Sequence, residues 1–407
     1  MTLTAAALLI ATMDTKGEEA LFISTCLKQA GISVRTMDAG IRGTSTVPVN
    51  ISREQVAKAG GKSLAEVQNI GHEGQALEVM TTGAIACAQS MFRQNQIQGI
   101  ISLGGSMGTT LGSGVMRSFP VGVPKVMIST MASRDTRAFV GTRDILMLHS
   151  VCDLAGLNRL TKKILRNGAM ALAGMLQPMP ATENQIPKPL VFLSTLGTTE
   201  ACAQQVRRTL EEKGNEVVIF HTVGSGGRAM EEMIETEGVS ILVDLSLHEM
   251  ADHLFGGDYD AGPDRGKTAL QLGLPTILVP GNIDFLVSGP LEQTRHLFPD
   301  RPYHVHNAAI TVVRSTHEEI EILSRTIADR CNKAAGPIKM LVPMGGFSAF
   351  DSQKGPLYDP DAPRLFAKTL QANINDHAKV SLLPCHINDP EFALAILEAV
   401  DQMQPAP

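Results

Sequence analysis

Two segments in the first half of the sequence carry residues that could bind a phosphate group. In the first, Asp14, Thr15 and Lys16 follow an apolar run and precede a helical pattern. A lysine and the backbone N–H groups at the start of a helix both attract an anion, and Asp14 could hold a magnesium ion through water. Asp14 or Thr15 could equally be the capping residue of that helix. The spacing alone leaves both interpretations open.

The second segment is a glycine-rich loop, ISLGGSMGTTLGSG, which follows another apolar run. It matches neither the GK[ST] ending of a Walker loop nor the GxGxxG pattern. Several backbone N–H groups in a loop at a strand end can cradle an anion, which favours phosphate binding. Glycines at these positions would also allow a helix to pack closely on a sheet. The candidate ligand-binding residues of this loop are Gly104, Gly105, Ser106, Gly108 and Thr109.

Polar residues also follow two other apolar runs of the first half. Asp38 ends the second run, where an acidic residue can bind ribose hydroxyls in doubly wound folds or simply stabilise a turn. Ser129, Thr130 and Ser133 follow the fourth run and are expected to face the same crevice. A capped helix would explain these three residues equally well.

Histidines, acids and an arginine are grouped differently in the second half. They follow predicted strand ends, where they would suit general acid–base chemistry or a metal ion. Because no HExxH motif accompanies them, a polar ligand site is favoured over a metal site. No two of the six cysteines form a CxxC pair, so no structural zinc is expected. The candidate catalytic residues of this half are Asp284, His306, Arg314, His386 and Asp389.

The elements that would position these residues read as two copies of one α/β unit. A run of Val, Ile and Leu, a hydroxyl-rich turn, a helical pattern and a glycine recur at an offset of 183 residues. Near-continuous apolar runs are typical of parallel strands buried on both faces. The proline-rich stretch QPMPATENQIPKP separates the copies, with the boundary placed near residue 185. The sequence thus predicts two tandem doubly wound, Rossmann-like parallel-sheet subdomains, 1–185 and 186–407, with a cleft between them.

Composition narrows the possible functions. The net charge of −6 gives no basic surplus for a general nucleic-acid binder, and no apolar run is long enough to span a membrane. Scattered cysteines without a secretion signal indicate a cytoplasmic protein. A homo-oligomer is the default expectation for such a chain.

Several longer motifs together resemble one known family. They are DTKGEE, LGGSMGTTLG, PKVMISTMAS, SVCDLAGLNR, DAGPDR, VPGNIDF, HNAAITVVRSTHEE, GGFSAFD and HINDPEF. The chain resembles the Tm-1-like ATP-binding domains, found at the N-terminus of the plant tobamovirus-resistance inhibitor and in bacterial relatives. The resemblance implies two α/β subdomains and a site for ATP with Mg²⁺ in the first. It also implies that Asp14 to Lys16, Gly104 to Thr109 and Ser129 to Ser133 form this site.

One position departs from the family pattern. Arg134 stands in MASRD, where MASGD is expected from the resemblance. The arginine could add a phosphate contact or obstruct the site. In the plant protein a barrel-type domain follows, so a separate barrel-domain protein is an expected partner here.

The expected function is that of an ATP-binding protein acting as an enzyme on a small polar or carboxylate metabolite. Lys16 and Mg²⁺ would stabilise phosphoryl charge, and a His–Asp pair of the second half would transfer protons. A non-catalytic module that presents a surface when ATP binds is one alternative. The other is a nucleotide-independent lyase, hydrolase or isomerase that acts on a phosphorylated or acidic metabolite.

Overall fold

The computed structural model describes residues 5–44, 47–177, 188–376 and 378–404. The chain forms two compact units, Met1–Glu183 and Asn184–Pro407. The predicted boundary at residue 185 lies outside the described residues. No helix in the described part of the chain is long and apolar enough to cross a membrane.

The described residues of the first unit form a parallel sheet of five strands, in the order β2-β1-β3-β4-β5. The strands are β1 (Ala6–Ala11), β2 (Ser33–Asp38), β3 (Gly99–Gly104), β4 (Lys125–Ser129) and β5 (Leu146–His149). The helices are α1 (Met13–Gln29), α2 (Arg53–Ala59), α3 (Leu64–Gln68), α4 (Glu73–Arg93), α5 (Ser106–Arg117), α6 (Arg137–Val140) and α7 (Arg159–Met175).

Both faces of this sheet are covered by helices. Ile101 and Val126 pack with side chains of α1 and α7 on one face, whereas Ile100 and Met127 pack with α4 and α5 on the other. The central strands β3 and β4 are buried along their whole length. Burial on both faces explains why their sequences are continuous apolar runs.

The described residues of the second unit form a parallel sheet of six strands and a small antiparallel sheet of three. The orders are β14-β13-β9-β8-β6-β7 and β10-β12-β11. The strands are β6 (Leu190–Thr195), β7 (Glu216–His221), β8 (Ile241–Ser246), β9 (Thr276–Gly281), β10 (Phe285–Ser288), β11 (Tyr303–Val305), β12 (Thr311–Arg314), β13 (Ile338–Pro343) and β14 (Ala378–Leu383). The helices are α8 (Glu200–Glu212), α9 (Ser225–Ile234), α10 (His248–Phe255), α11 (Thr268–Gln271), α12 (Leu291–Leu297), α13 (His317–Asn332), α14 (Ala362–Asn373) and α15 (Pro390–Met403).

Two parallel, Rossmann-like sheets confirm the predicted fold class. The predicted internal repeat is also visible, because β2 and β7 lie 183 residues apart and the helix before each ends near a glycine with positive φ. These glycines are Gly31 (φ 81°) and Gly214 (φ 90°). In both sheets the strand order reverses once, between β1 and β3 and between β6 and β8. Ligands of open α/β sheets bind at the carboxyl ends of the strands at such a reversal.

The antiparallel sheet was not predicted from the sequence. Its strands contain only three or four residues each, so they provide too few positions for a period-two pattern to stand out. This sheet places Arg314 at the end of β12, opposite Phe285 at the start of β10.

Candidate functional site

A cavity of about 330 Å³ lies at the reversal point of the first unit. The loops after β1 and β3 contribute the polar part of its lining. These lining residues are Thr12, Asp14, Thr15, Lys16, Gly104, Gly105, Ser106 and Gly108. The tertiary structure therefore brings together both segments that the sequence proposed as phosphate-binding.

The start of α1 is irregular where it borders the cavity. Thr12 is the N-cap residue by backbone geometry, so neither Asp14 nor Thr15 caps this helix. The backbone of Lys16 leaves helical geometry, with φ −128° and ψ 20°. Its ammonium contacts only the carbonyl oxygen of Thr15 among the bonds of the described residues, at 3.4 Å. The lysine is therefore a cation that a ligand in the cavity could recruit.

The Asp14 carboxyl is enclosed beside the cavity. Its Oδ1 atom is buried and has no hydrogen-bond partner in the described part of the chain. Burial and the neighbouring Asp38 carboxylate raise the pKa of Asp14. A Cβ atom added at Gly40 would lie 3.0 Å from this Oδ1 atom, so the wall around the carboxyl admits little more than glycine. A buried oxygen without a partner fits a magnesium ion or its bound water.

The glycines of the loop after β3 have different roles. A Cβ atom at Gly104 would lie 2.8 Å from the Cα atom of Gly108, so Gly104 allows α5 to approach the sheet. At Gly105 the nearest atom would be Thr130 Oγ1, at 3.9 Å, and the φ angle is −79°. Neither packing nor backbone strain therefore requires a glycine at 105. Close packing therefore explains Gly104, whereas the space around Gly105 is open.

Helix α5 begins at this loop, with Gly105 as its N-cap residue. No side chain of the described residues caps it. The first N–H groups of an α-helix have no partner within the helix, so this end carries free donors and a partial positive charge. The end of a twelve-residue helix, together with Lys16, gives the cavity an electropositive side.

The remaining sequence candidates of the first unit are not in the cavity lining. Asp38 Oδ1 accepts hydrogen bonds from the N–H groups of Met13 and Gly40, at 3.0 and 2.8 Å, which is the turn role. The hydroxyls of Thr109 and Ser129 are bonded to each other at 2.6 Å. Thr130 and Ser133 also lie outside the lining among the described residues.

Sequence reasoning missed a second part of the cavity lining, which does not come from the loops after β1 and β3. It comes from residues that lie between the end of β2 and the first turns of α4. Arg42, Gln68 and Glu73 supply its polar groups. Its apolar members are Ala39, Ile41, Val67, Ile70, Ala76 and Leu77. The only sequence signal for this part of the lining was the length of the segment between β2 and β3, which is longer than a connection between parallel strands requires.

In the second unit, the structure brings Asp284 and Arg314 together. Arg314 Nη1 lies 3.7 Å from Asp284 Oδ2 and 3.2 Å from Asp351 Oδ1, and its Nη2 atom lies 3.5 Å from Asp359 Oδ2. Ser348 Oγ donates a hydrogen bond to Asp284 Oδ2 at 2.7 Å. We call these five residues the Arg314 cluster. The sequence indicated two of them as catalytic candidates and did not indicate Asp351 or Asp359.

Burial governs the proton affinities in this cluster. It raises the pKa of Asp284, and burial and the Asp284 charge together raise the pKa of Asp351 to about 7. Burial also opposes ionisation of Asp359. A hydrogen bond from His317 and the charge of Arg314 outweigh that effect and lower the pKa of Asp359. The cluster therefore holds a mixture of charged and protonated carboxyl groups near neutral pH.

The other candidates of the second unit have varied surroundings. The ring of His386 donates from Nε2 to the carbonyl oxygen of Ser348 at 2.9 Å and accepts at Nδ1 from the N–H group of Asn388 at 3.1 Å. Asp389 accepts from the N–H group of His386 at 2.7 Å. His306 is exposed beyond β11, and its ring centroid is 6.5 Å from that of Phe350. His386 is thus linked to the cluster through Ser348, whereas His306 is not hydrogen-bonded to it.

The DAGPDR motif contains a buried ion-pair network. Arg265 is 1% exposed and donates to both oxygens of Asp244, at 2.6 and 2.7 Å, and to Glu249 at 2.7 Å. Glu249 also accepts from the N–H groups of Gly224 and Gly227. Because its guanidinium donors already bond to Asp244 and Glu249, Arg265 holds the loop before α11 in place and has few donors left for a ligand.

No group of three or more His, Cys, Asp or Glu side chains that could hold a metal ion is present within the described ranges. The cysteines of the described residues are all free thiols. Burial raises the pKa values of Cys202 and Cys331 to about 12. These thiols are therefore inert at neutral pH.

Comparison with known proteins assigns the chain to a family. The N-terminal domain of the uncharacterised protein family UPF0261 matches residues 5–181, and the C-terminal domain of that family matches residues 188–404. A UPF0261 protein of Clostridium tetani is 36% identical over 397 residues, which covers 97% of this chain and 98% of that protein. A UPF0261 protein of Rhizobium meliloti is 34% identical, covering 96% of this chain and 97% of that protein.

A plant protein is also among the relatives. The ToMV resistance protein Tm-1 of tomato (Solanum lycopersicum) is 31% identical over 417 residues. The match covers 97% of this chain but 55% of the tomato protein, so the chain spans about half of that relative. The predicted resemblance is confirmed: the chain belongs to the UPF0261 family, whose members are related to the tomato Tm-1 proteins.

Proposed function

We propose that the first unit binds ATP together with Mg²⁺ in the cavity at the reversal point of its sheet. The observation that carries this proposal is the convergence of Lys16, the unconstrained Gly105 and the uncapped start of α5 on one cavity. A lysine and free backbone N–H groups at a strand-to-helix loop are the groups that bind phosphate oxygens.

The rest of the cavity suits the remaining parts of this ligand. Asp14 would hold Mg²⁺, since its buried Oδ1 atom has no hydrogen-bond partner in the described residues. The bound ion would supply charge neutralisation at the phosphate oxygens. The apolar wall formed by residues such as Ile41, Val67 and Ile70 suits a flat nucleobase. A cavity of about 330 Å³ is at the lower end of the range for small-molecule sites.

The proposal extends to an enzyme that uses ATP on a small polar or carboxylate metabolite, with the metabolite in the second unit. Support comes from Arg314, whose buried guanidinium nitrogens have no hydrogen-bond partner in the described ranges. The predicted homo-oligomer, the separate barrel-domain partner and the cytoplasmic location stay predictions.

The direct test is isothermal titration calorimetry of the full chain with ATP, with and without Mg²⁺. Lys16→Ala is expected to weaken ATP binding at least tenfold, because a charge-assisted contact to a phosphate group is lost. A tenfold change corresponds to about 1.4 kcal/mol. Lys28→Ala is the matched control, since this exposed lysine lies in the last turn of the same helix, away from the cavity lining.

Unchanged ATP affinity in Lys16→Ala would contradict the assignment of the site. Binding of ATP without turnover, even with a metabolite panel present, would favour the ATP-gated interaction module. A rise in melting temperature with sugar or acid phosphates but not with ATP would favour the nucleotide-independent enzyme.

A further inference from the structure

Arg314 is a buried arginine whose donors are unused. The residue is 7% exposed, and none of its Nε, Nη1 and Nη2 atoms has a hydrogen-bond partner among the described residues. The nearest carboxylate oxygens lie 3.2 to 3.7 Å away, without hydrogen-bond geometry. A guanidinium carries five donors, and burying them unpaired is costly. Arg314 therefore has ion-pair partners but no well-aligned hydrogen-bond acceptor among the described residues.

One oxygen of Asp284 in the same cluster has no hydrogen-bond donor within the described ranges. Asp284 is fully buried, and while its Oδ2 atom accepts from Ser348, its Oδ1 atom has no partner in the part of the chain described here. Asp284 immediately precedes β10, where Phe285 is paired with Arg314 of β12. An unpaired acceptor and an unpaired set of donors thus lie side by side.

We propose that the Arg314 cluster binds a small zwitterion of the α-amino-acid class. Its carboxylate accepts from the guanidinium of Arg314, and its ammonium group donates to Asp284 Oδ1. This inference deepens the metabolite half of the proposed function, and it does not depend on the nucleotide half.

Charge balance favours a zwitterion over other small ligands. The cluster contains three carboxyl groups and one guanidinium, so a phosphate dianion would add two negative charges to a site that already has an excess of acidic groups. A simple cation would leave the donors of Arg314 unpaired. A zwitterion adds no net charge. It gives both the guanidinium of Arg314 and the Oδ1 atom of Asp284 a charge-assisted hydrogen bond.

The segment 351–359 contributes two of the three carboxyl groups around Arg314. Asp351 and Asp359 lie at its two ends and both contact Arg314, whereas Gln353 and Lys354 between them are exposed. Leu357 anchors the segment by packing against Phe285 and neighbouring apolar side chains. In the proposed complex, the ligand carboxylate replaces the loose contacts that Asp351 and Asp359 make with Arg314.

The test is a thermal-shift and calorimetric screen of the full chain with the twenty amino acids, without nucleotide. Acetate, ethylammonium and inorganic phosphate serve as probes that carry only one of the two required features. At least one amino acid is expected to raise the melting temperature and to bind, with each single-feature probe at least tenfold weaker.

Asp284→Asn is the diagnostic variant. The amide keeps the shape and can still accept from Ser348, but it puts a donor where the ammonium group would bind. At least a tenfold loss of amino-acid affinity is expected, with ATP affinity unchanged. Asp361→Asn is the control, because it removes one nearby exposed charge outside the cluster. Arg314→Lys is a second variant, which keeps the charge but loses the planar fork of donors.

Three outcomes would overturn the inference. The first is that no amino acid binds at millimolar concentration. The second is that affinity is the same in Asp284→Asn and Arg314→Lys as in the unaltered chain. The third is a high-resolution crystal structure, soaked with the panel, in which only ordered water fills the cluster. Loss of ATP binding with amino-acid binding retained would count against the nucleotide site alone.

Discussion

The reversal points of the two sheets have the same topology and different contents. β3 ends at Gly104 and β8 ends at Ser246, so Gly105 in the first unit corresponds to Leu247 in the second. The position of Gly105 is open, whereas Leu247 is 1% exposed and packs in the core of the second unit. One unit has a cavity where the other has a buried side chain.

The next strand shows the same contrast. β4 ends at Ser129 and β9 ends at Gly281, so Thr130 corresponds to Asn282. Asn282 is fully buried with φ 60°, and its side chain bonds to Thr198, Thr199 and Ser246 Oγ. The second unit thus closes its reversal point with its own polar side chains.

In both units the topology determines where a crevice can form. The first residues after the two strands at the reversal point decide whether that crevice stays open. In the first unit, the residues between β2 and α4 then build an apolar wall over the open end. In the second, Leu247 and Asn282 are buried at the reversal point, and the polar groups without hydrogen-bond partners in the described part of the chain include those of Arg314.

The largest expected effect comes from removing the side chain that closes the second unit. Asn282→Ala is expected to lower the free energy of unfolding by about 3 kcal/mol. It removes the hydrogen bonds to Thr198, Thr199 and Ser246 and puts alanine in the left-handed region. Urea unfolding followed by circular dichroism measures this change, and Asn282→Gly separates the backbone part. A loss below 0.5 kcal/mol would show that the closing hydrogen bonds contribute little (a typical neutral surface effect is of that size).

The second expected effect concerns the buried carboxyl group of Asp351 in the second unit. The pKa of Asp351 is raised from 3.8 to about 7 by burial and by Asp284, so the folded chain binds this proton more tightly than the unfolded chain. Stability from this group is complete below the unfolded pKa and is lost as the pH rises through the folded pKa. The slope approaches about 1.4 kcal/mol per pH unit between those values.

Asp351→Asn should therefore flatten the dependence of unfolding free energy on pH. Between pH 5 and pH 7 the unaltered chain is expected to lose about 2 kcal/mol more than the variant. Unfolding curves in urea at the two pH values give both numbers. Parallel profiles for the two proteins would mean that Asp351 titrates with an ordinary pKa.

The smallest expected effect concerns Gly105, at the open reversal point of the first unit. Gly105→Ala adds a methyl group that meets no protein atom closer than 3.9 Å, so the melting temperature is expected to change little. ATP affinity is expected to fall about tenfold, or about 1.4 kcal/mol, because the methyl group occupies space next to the free N–H groups. Gly174→Ala is the control, since its Cβ atom also meets open space, on α7. Equal ATP affinities in the two variants would remove Gly105 from the site.

Much of the fold could be predicted from the sequence. Runs such as IISLG and ILVDLS became β3 and β8, because a strand covered on both faces needs an apolar side chain at almost every position. The short antiparallel strands could not be predicted in this way, since three or four residues carry no readable period.

The candidate sites were predictable to different degrees. Asp14, Lys16 and Gly105 lie in loops directly after strands, and the carboxyl ends of parallel strands share one edge, so their convergence could be expected. The role of Asp38 as a turn residue depends on two hydrogen bonds that no spacing reveals. Asp351 and Asp359 join Arg314 through contacts between segments that are distant in the chain, so local pattern carried no sign of them.

The sequence by itself determined the two parallel sheets, their repeated unit and the loops that face the reversal points. These features follow from local periodicity, which records how each residue is buried. Only the tertiary structure decided that the first reversal point is open and the second is closed. It also decided that the guanidinium of Arg314 and the Oδ1 atom of Asp284 are buried close together without hydrogen-bond partners among the described residues. The physical reason is that space and unpaired hydrogen-bonding groups arise where distant segments pack, and such vacancies leave no pattern along the chain.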